Sequence, residues 1–394
     1  MSPQITVADV LEPYDERLGD ASEPIILTLT EGNGFIPQQE RFNKRLATED
    51  TSDYKVIRRG DYAFNPYLLW AGAIACNRTH DVGIISPAYP TFRVRGGYEA
   101  AYVERLFSSE AMKVRYDLIS FGAVPRRRRA KTEDFLAISL PSLPPLPEQK
   151  RIAAILDAAD ALRTKRRESI EQLDSLVQAT FLEMFGDPEQ GWLVTTVDQI
   201  ASATPSSIRT GPFGSQLLHS EFTEEGVRVL GIDNAVGNEF RDGAPRFISL
   251  AKYEQLHRYT VSPGDVLITI MGTCGRCAIV PEGIGTAINT KHLCCITLDR
   301  RKCLPQFLHA YFLRHPVAQR YLRSQTKGAI MEGLNMGIIK AIPVSLPPLT
   351  VQTRFASIVE SIEQQKARLK AHLAELDTLF ASLQSRAFNG ELVA

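Results

Sequence analysis

Apolar residues return every three or four positions along two stretches of the chain, which predicts two long amphipathic helices. The first stretch runs from Glu148 to Phe185 without a proline, and prolines stand just before it at 144, 145 and 147. Gly186-Asp187-Pro188 follows it, a combination that ends a helix. The second stretch runs from about Thr350 to Phe388. At about 1.5 Å per residue each helix would be roughly 57 Å long. Each apolar stripe therefore needs a partner, and the other helix is the nearest candidate.

The chain also repeats itself. Leu143-Pro144-Pro145-Leu146 recurs 203 residues later, at positions 346–349. The same offset continues through the helices, where Leu173 corresponds to Leu376. A Gly-Asp pair recurs at an offset one residue larger, as Gly60-Asp61 and Gly264-Asp265. Small changes of the offset along the chain are expected when a loop is longer in one copy than in the other. We therefore interpret the chain as two versions of one unit, each a globular domain followed by a helix.

These patterns predict an α+β fold with a pseudo-twofold internal repeat: two globular domains of similar fold, joined by two long antiparallel coiled-coil helices. The expected boundaries are 1–147, 148–186, 187–349 and 350–394. The interface of the helix pair is expected to comprise Ile152, Ile155, Ala159, Ile170, Leu173, Leu176, Ile358, Ile362, Leu373, Leu376 and Leu379. For the helices alone, a structural stalk or an oligomerisation coiled coil is an equally good interpretation, but it leaves the two diverged domains unexplained.

Composition places the chain among soluble folded proteins. Of its 394 residues, 44% are hydrophobic and 23% charged, and no apolar run is long enough to span a membrane. The first residues lack the pattern of a secretion signal. The six cysteines are spaced too unevenly for a disulfide framework, so we expect a reducing cytoplasm. The net charge of zero argues mildly against nucleic-acid binding, although a local basic face suffices for it.

The arrangement resembles the specificity subunits of type I restriction–modification systems, over nearly the whole chain. One signature is Leu143 to Gln149 leading into the helix, with a weaker copy at 346–359. The other lies in the second domain, at Gly211-Pro212-Phe213-Gly214-Ser215, Tyr259 to Asp265, and Leu267 to Gly275. The order, spacing and duplication of these pieces carry the resemblance, because each piece alone is weak.

The resemblance implies that each globular domain is a target-recognition domain reading one half of a bipartite double-stranded DNA site. The paired helices would then set the unread spacer. It further implies two modification subunits that bring S-adenosylmethionine and methylate adenine, and restriction subunits that use ATP and Mg²⁺. The chain itself would bind no cofactor and carry no catalytic residue. It contains no Gly-x-x-x-x-Gly-Lys-Ser/Thr phosphate loop, in keeping with ATP hydrolysis elsewhere.

The two copies depart from each other at points that matter for recognition. The first domain lacks a Gly-Pro-Phe-Gly-Ser loop, and it has Asn65-Pro66-Tyr67 where the second has Thr269-Ile270-Met271. Asn65-Pro66-Tyr67 resembles the loop with which amino-methyltransferases hold a target amine. One proline is missing and no glycine-rich methyl-donor loop accompanies it, so we interpret the segment as part of a strand after a Gly-Asp turn. The two domains are expected to read different sequences.

Basic and amide side chains are the candidates for DNA contact. As a phosphate clamp we expect the basic cluster Arg126, Arg127, Arg128, Arg129 and Lys131, since guanidinium groups match phosphate oxygens, although a solvated loop explains the cluster too. As readers of base edges we expect Asn77, Arg78, Arg93 and Arg95 in the first domain and Arg209, Ser215, Gln216, Arg276 and Lys291 in the second.

Three other interpretations bear on function. Cys274 and Cys277, with His292, Cys294 and Cys295, have a spacing compatible with zinc, but buried packing of free cysteines is favoured, and we expect no metal. A self-contained methyltransferase or nuclease is a rival, against which the missing cofactor and ATP motifs argue. The second rival is a coiled-coil adaptor whose domains bind protein.

Overall fold

The computed structural model describes residues 5–32, 34–41, 47–122, 128–187, 191–325 and 333–392. The chain divides into two compact units. Unit 1 comprises residues 1–167 and 371–394, and unit 2 comprises residues 168–370. Each unit therefore contains one globular domain and one portion of each long helix, a division that runs through the helices rather than at their ends.

The elements of unit 1 follow the chain from its first described residues. Its short helices are α1 (Val7–Val10), α2 (Gln38–Arg41), α3 (Ala100–Phe107), α4 (Glu110–Leu118) and α5 (Thr132–Leu136). Its strands are β1 (Leu11–Tyr14), β2 (Ile25–Thr30), β3 (Gly34–Pro37), β4 (Lys55–Arg58), β5 (Tyr62–Phe64), β6 (Ile74–Cys76), β7 (Val82–Ile85), β8 (Thr91–Val94), β9 (Ser120–Phe121) and β10 (Arg129–Ala130). The long helix α6 (Leu146–Phe185) begins in this unit.

Unit 2 contains counterparts of most of these elements in the same order. Its short helices are α7 (Val197–Ile200), α8 (Leu250–Leu256), α9 (Pro305–Arg314), α10 (Pro316–Gln325) and α11 (Met336–Lys340). Its strands are β11 (Leu193–Thr196), β12 (Ile208–Thr210), β13 (Phe222–Thr223), β14 (Val227–Leu230), β15 (Phe247–Ile248), β16 (Thr260–Val261), β17 (Val266–Thr269), β18 (Cys277–Ile279), β19 (Ala287–Asn289), β20 (Leu293–Ile296) and β21 (Pro343–Leu346). The long helix α12 (Leu349–Phe388) begins here.

The two larger sheets of each unit confirm the internal repeat, while the two-stranded sheets β10-β9 of unit 1 and β11-β21 of unit 2 are additional. Unit 1 has an antiparallel sheet of order β1-β8-β5-β6, and unit 2 has its equivalent in β12-β20-β17-β18. The second sheet of unit 1, β3-β2-β7-β4, pairs β2 with β7 in parallel. Its equivalent in unit 2 is β15-β14-β19-β16, with β14 parallel to β19 and with β13 added at the edge. The predicted α+β fold with two similar domains is therefore confirmed.

In both units the two long helices run antiparallel and contribute to the domain core. In unit 1, Ile152 and Leu156 near the start of α6 share a core with Ala387 near the end of α12. In unit 2, Phe181 and Phe185 at the end of α6 pack against Phe355 near the start of α12, at ring distances of 5.6 and 5.3 Å. The apolar faces of the helices therefore pack into the domain cores as well as against each other.

The predicted helix interface needs correction at two positions. Ile152 and Ile362 are buried, while Ile155, Ala159, Ile170, Leu173, Ile358, Leu373 and Leu376 are partly buried. Leu176 and Leu379, which are equivalent in the repeat, are 48% and 50% exposed. The next residue faces inward instead in each helix: Val177 is 7% exposed, and Phe380 packs against the unit 1 core. A strict spacing of three residues drifts off the inward stripe of a 3.6-residue helix, which explains the error.

A buried glutamine ties the start of each long helix to its domain. The side-chain oxygen of Gln149 accepts a hydrogen bond from the Glu99 amide before α3 (2.9 Å). That of Gln352 accepts one from the Leu304 amide before α9 (2.9 Å). Each glutamine also donates to a carbonyl of its Pro-Pro segment, at 2.8 Å in both cases. The glutamine is thus the part of the repeated signature that both copies need.

Glycine ends both long helices, as the sequence predicts. A side chain at Gly186 would overlap the Leu182 carbonyl, and Gly390 adopts a left-handed φ of 76°. None of the described helices combines the length and apolarity that crossing a membrane requires.

Candidate nucleic-acid interface

In unit 2, several loops converge where the central strands of the two sheets end. The Ile270 amide, after β17, donates to the His292 carbonyl before β20 (2.9 Å), and the Thr290 amide, after β19, donates to the Leu230 carbonyl at the end of β14 (2.8 Å). A side chain at Gly211 would overlap the Asn289 carbonyl, so only glycine lets that loop approach so closely. We call residues 211–216, 231–234, 270–276 and 290–292 the unit 2 loop edge.

Four of the predicted base readers lie on the unit 2 loop edge. Ser215 and Arg276 are exposed, and Lys291 is partly exposed. Gln216 uses its side-chain oxygen to accept from the Phe213 amide (3.1 Å) and from the Tyr259 hydroxyl (2.9 Å), which leaves its amide nitrogen for other partners. The Arg276 amide donates to the Thr269 hydroxyl (2.9 Å), so the backbone under the Arg276 side chain is fixed while the side chain itself faces solvent.

Cationic side chains lie near His292 on the unit 2 loop edge. Burial, together with the nearby charges of Lys291 and Arg246, lowers the pKa of His292. Among the described residues, Arg276 and Lys291 have no ion pair with an acid. A cationic, partly exposed loop edge of this kind attracts phosphate and offers donors to base edges.

Arg209 lies away from this edge, between the two sheets of unit 2. Its side chain is 10% exposed and forms an ion pair with the buried Asp265 (2.9 Å). It also donates to the Thr297 hydroxyl (3.0 Å) and the Thr260 carbonyl. Asp265 in turn accepts from the Ser262 amide (2.9 Å), which caps the predicted Gly-Asp turn. This arrangement gives Arg209 a structural role, and a base contact would require it to leave these partners.

Unit 1 has an equivalent loop edge, built from residues 65–70, 86–90 and 128–133. The Ala130 amide donates to the Pro66 carbonyl (2.9 Å), and Asn65 donates to the Tyr89 hydroxyl (3.0 Å). A cavity of about 320 Å³ opens there, lined by Tyr14, Lys55, Pro66, Thr91, Arg129 and Lys131 among others. Asn65-Pro66-Tyr67 belongs to this edge as the turn after β5, so the interpretation of this segment as strand was wrong. The Asn65 side chain caps that turn by accepting from the Tyr67 amide (3.0 Å).

The described part of the basic cluster also lies on the unit 1 loop edge. Arg129 stands over the Tyr67 ring at 5.6 Å, and Lys131 is exposed. Arg128 is held to Asp117 (2.7 Å) and to the Ser120 carbonyl (3.0 Å), and it stands over the Trp70 ring at 5.4 Å. Arg126 and Arg127 lie outside the described residues. Sequence reasoning placed Tyr67 in a strand and overlooked Trp70, and the only signal for this role was two aromatic residues close together after a Gly-Asp turn.

The four predicted base readers of unit 1 do not lie on this edge. Asn77 is fully buried, and its amide group bonds to the His80 carbonyl (2.8 Å) and amide (3.1 Å). The Arg78 side chain pairs with Glu104 and with Asp157 (3.2 Å). Both residues follow β6 at the end of the sheet opposite to Asn65, since the Asn77 amide bonds to the Asp61 carbonyl before β5 (2.8 Å).

Arg93 and Arg95 are also held by acids. Arg93 stands over the Tyr14 ring at 4.3 Å and lies 3.4 Å from Glu16, while Arg95 lies 3.7 Å from Glu12. Because the units share their topology, the predicted base readers of unit 1 lie at the end of the sheet opposite to the one that corresponds to Ser215, Gln216, Arg276 and Lys291. Contact of these side chains with bases stays a prediction. Because the two domains share one fold, we expect them to contact DNA through equivalent surfaces, and the loop edges are surfaces that both domains have.

The cysteines form no metal site in the described part of the chain. All six are free and buried, and no three His, Cys, Asp or Glu side chains come together there in a way that could hold a metal ion. Burial raises the pKa of Cys76, Cys294 and Cys303 to about 12, so these thiols stay protonated. This environment is typical of packing cysteines.

Comparison with known proteins finds similarity to one family of DNA specificity proteins. Residues 228–377 match the type I restriction modification DNA specificity domain. The chain is 26% identical over 280 residues to the type I restriction enzyme EcoBI specificity subunit of Escherichia coli. It is 25% identical over 309 residues to the EcoKI specificity subunit of Escherichia coli K12. The chain is thus similar to the type I restriction enzyme specificity subunits, and its second half contains a match to their DNA specificity domain.

The similarity to these specificity subunits is partial in sequence and extensive in fold. The alignments with the EcoBI and EcoKI subunits cover 64% and 71% of this chain and 58% and 63% of those proteins. The chain thus spans less than two thirds of their length. The S subunit structure from M. genitalium matches with a TM-score of 0.61 at 14% identity, over 98% of this chain and 95% of that chain. A chain from a structure of type I R-M complex assembly matches with a TM-score of 0.56 at 18% identity, over 100% and 99%.

Proposed function

We propose that this chain is the DNA-reading subunit of a type I restriction–modification complex, in which each unit contacts one half of a bipartite duplex site through its loop edge. The observation that carries the proposal is the equivalence of the two loop edges. Both lie at the same end of strand-by-strand equivalent sheets, and both present cationic side chains there. The chain carries no catalytic centre in this proposal, and its free buried cysteines suit a cytoplasmic location.

Selection of bound duplexes from a random pool tests the proposal with the full chain. We expect enrichment of two short sequences separated by a fixed spacer. Arg276→Ala should relax selection at one or more positions of one half-site only, by about 5- to 150-fold per lost base contact of ~1–3 kcal/mol. Arg301→Ala is the matched control in unit 2, because Arg301 is 89% exposed and, among the described residues, pairs with Asp299 alone. The absence of any enriched bipartite sequence would favour the rival protein-binding adaptor.

The basic cluster of unit 1 should contribute affinity rather than sequence choice. Replacing Arg126 to Arg129 by alanine should weaken duplex binding and reduce its dependence on salt, because phosphate contacts release counterions. The selected sequence should stay the same. A changed consensus would contradict the assignment to phosphate.

The helix pair should determine the spacer between the half-sites. Each helix is roughly 57 Å long, which exceeds one duplex turn of about 34 Å, so a pair of such helices is long enough to act as a ruler for the spacer. Removing whole turns from both helices should change the preferred spacer length. An unchanged spacer would remove this role from the helices.

Catalysis is proposed to reside in partner subunits. Two modification subunits would bring S-adenosylmethionine, and restriction subunits would bring ATP- and Mg²⁺-dependent activities to the complex. Incubating the purified chain with duplex DNA and labelled methyl donor should transfer no label. Transfer by the chain alone would favour the rival of a self-contained methyltransferase.

A further inference from the structure

Within unit 1, the two long helices are joined by a mostly buried cation. The Arg163 side chain of α6 is 18% exposed and bonds to Asp377 of α12 at 2.6 Å. It also bonds to Asp160, one turn earlier on its own helix, at 2.9 Å. Its guanidinium group stands over the Phe380 ring of α12 at 4.3 Å. Arg163 therefore contacts both helices, and both acids that face it are partly exposed.

Within unit 2, a second cation does the same. The Lys366 side chain of α12 is 7% exposed and bonds to Asp174 of α6 at 2.6 Å. It also bonds to Glu363, one turn earlier on its own helix, at 3.1 Å. Burial opposes the charge of Lys366, but the hydrogen bonds to Asp174 and Glu363 outweigh it and raise its pKa.

These two arrangements are copies of each other in the repeat. Each residue of the first has its counterpart 203 positions away, so that Arg163 corresponds to Lys366. The acid on the same helix and the acid on the opposite helix correspond likewise, as Asp160 with Glu363 and Asp174 with Asp377. The neighbouring contact differs, because Val177 stands in unit 2 where Phe380 stands in unit 1. The charges are thus common to both copies while the adjacent packing is not.

The domain cores and the glutamine ties hold the ends of the two helices. In the middle of the pair, where the apolar side chains are only partly buried, apolar contacts alone tolerate small shifts of one helix along the other. A buried polar group removes this freedom, because it finds its partner in one register only. A shift of about 3 Å in the middle of the pair is roughly one base pair of duplex. It would also pull two poorly solvated cations away from their cross-helix acids.

We propose that Arg163–Asp377 and Lys366–Asp174 are register locks, which fix the sliding position of the helix pair and thereby the spacer length that the chain accepts. This inference rests on the proposed function for the role of the spacer. The locks act through the helices and do not touch DNA, so Arg163 and Lys366 are positioning residues. Their acids are solvated enough to tolerate loss of the cation.

The decisive variant carries Arg163→Met and Lys366→Met together. Methionine keeps the length and apolar contacts of the side chains and removes their charge, so the chain should unfold at the same or a higher temperature. Register should nevertheless become mixed. Two labels, attached through Leu162→Cys and Leu379→Cys at exposed positions of unit 1, report the register by spin–spin distance. We expect one narrow distance with the native locks and a broader or second distance in the methionine variant.

Duplexes with the two half-sites at spacers stepped by one base pair give the second measurement. The chain with native locks should favour one spacer by at least about tenfold, and the methionine variant should accept neighbouring spacers nearly as well. Arg167→Met is the control, because Arg167 also reaches Asp377 (3.2 Å) but is 46% exposed. It should change neither measurement.

The outcomes separate the possible failures. A single distance and an unchanged spacer in the folded methionine variant would overturn the register locks. A lowered unfolding temperature with an unchanged distance would assign the pairs to stability alone. If the distance broadens but the chain with native locks selects no spacer, the locks stand and the proposed DNA function fails.

Discussion

The two units build the same junction between domain and helices with different side chains. In unit 1, Arg105 of α3 reaches Asp157 and Asp160 of α6 (2.8 and 2.9 Å) and stands over the Phe380 ring of α12 at 5.8 Å. In unit 2, Ala310 of α9 and Val177 of α6 hold the corresponding positions, and a cavity of about 530 Å³ remains. The cavity is lined by charged side chains, including Asp174, Arg314, Glu363 and Lys366. The comparison teaches that the glutamine ties and the cross-helix charges are common to both units, whereas the side chains that fill the junction diverge.

The largest expected effect of this difference concerns the aromatic residue at the end of each long helix. Phe185 is fully buried in unit 2, with ring centroids of Phe307 and Phe355 at 5.1 and 5.3 Å. Phe388, its counterpart in unit 1, is only partly buried and contacts Tyr102 at 5.6 Å. We expect Phe185→Ala to lower the free energy of unfolding of its unit by ~3–5 kcal/mol, and Phe388→Ala by about half as much. Hydrogen exchange of each unit measures the two losses, and equal losses would contradict a tighter unit 2 core.

Replacing the buried glutamine of each unit should cause losses of stability that differ less between the units. Gln352 is fully buried and makes three hydrogen bonds, to the Leu304 amide and to the Lys302 and Pro347 carbonyls. Gln149 is 2% exposed and makes two. Leucine at either position leaves these buried backbone groups unpaired, at about 1–3 kcal/mol for each poorly solvated group. Gln352→Leu should therefore destabilise by about 3 kcal/mol and Gln149→Leu by somewhat less, in denaturant titrations.

The exposed Gln364 of α12 gives the control for the glutamine ties. Gln364→Leu should leave the unfolding midpoint nearly unchanged. If it matched Gln352→Leu, the loss would come from adding an apolar residue to the helix rather than from the broken bonds.

Much of the fold could be predicted because it depends on local spacing. The apolar period gave both helices within a few residues, and the duplicated Leu-Pro-Pro-Leu and Gly-Asp segments gave the repeat. Leu176 and Leu379 were misplaced because a fixed spacing does not follow the rotation of a long helix. The cross-helix charges were overlooked, since Arg163 and Lys366 look like ordinary surface cations until the helices are brought together.

The candidate interface could be predicted only in part, because partners distant in sequence decide it. Arg276 and Lys291 follow strand ends, and the structure brings them to one edge with Ser215 and Gln216. Arg78 and Arg209 are arginines like Arg276, but each forms an ion pair with an acid that is distant in sequence. These acids are Asp157 and Asp265. No pattern in a single sequence distinguishes an arginine that faces solvent from one that is paired across 79 residues.

Acid should affect unit 2 more than unit 1. Burial lowers the pKa of His309 and His315 in unit 2, where they contact the Asn238 and Phe185 carbonyls at 2.9 Å in both cases. These histidines bind protons more readily when unfolded, so stability is unaffected well above pH 6.5 and falls as the pH drops below it. Hydrogen exchange at pH 7.5 and 5.5, corrected for intrinsic rates, should show earlier opening of unit 2 in acid. His309→Gln should reduce this acid effect, and an identical acid response of both units would contradict it.

The smallest expected effect comes from filling the unit 2 junction as unit 1 fills its own. Val177→Phe places in α6 the ring that Phe380 provides at the equivalent position of α12, next to a cavity of about 530 Å³. Because there is room beside it, the larger side chain should change the free energy of unfolding by less than about 1 kcal/mol in either direction. The reverse change, Phe380→Val, removes the ring that lies under Arg163 at 4.3 Å and should cost roughly 1–2 kcal/mol. Denaturant titration of both variants measures the asymmetry. A strongly destabilised Val177→Phe would mean that the polar lining of the cavity, with Arg314 and Lys366 among its charges, needs that space for water.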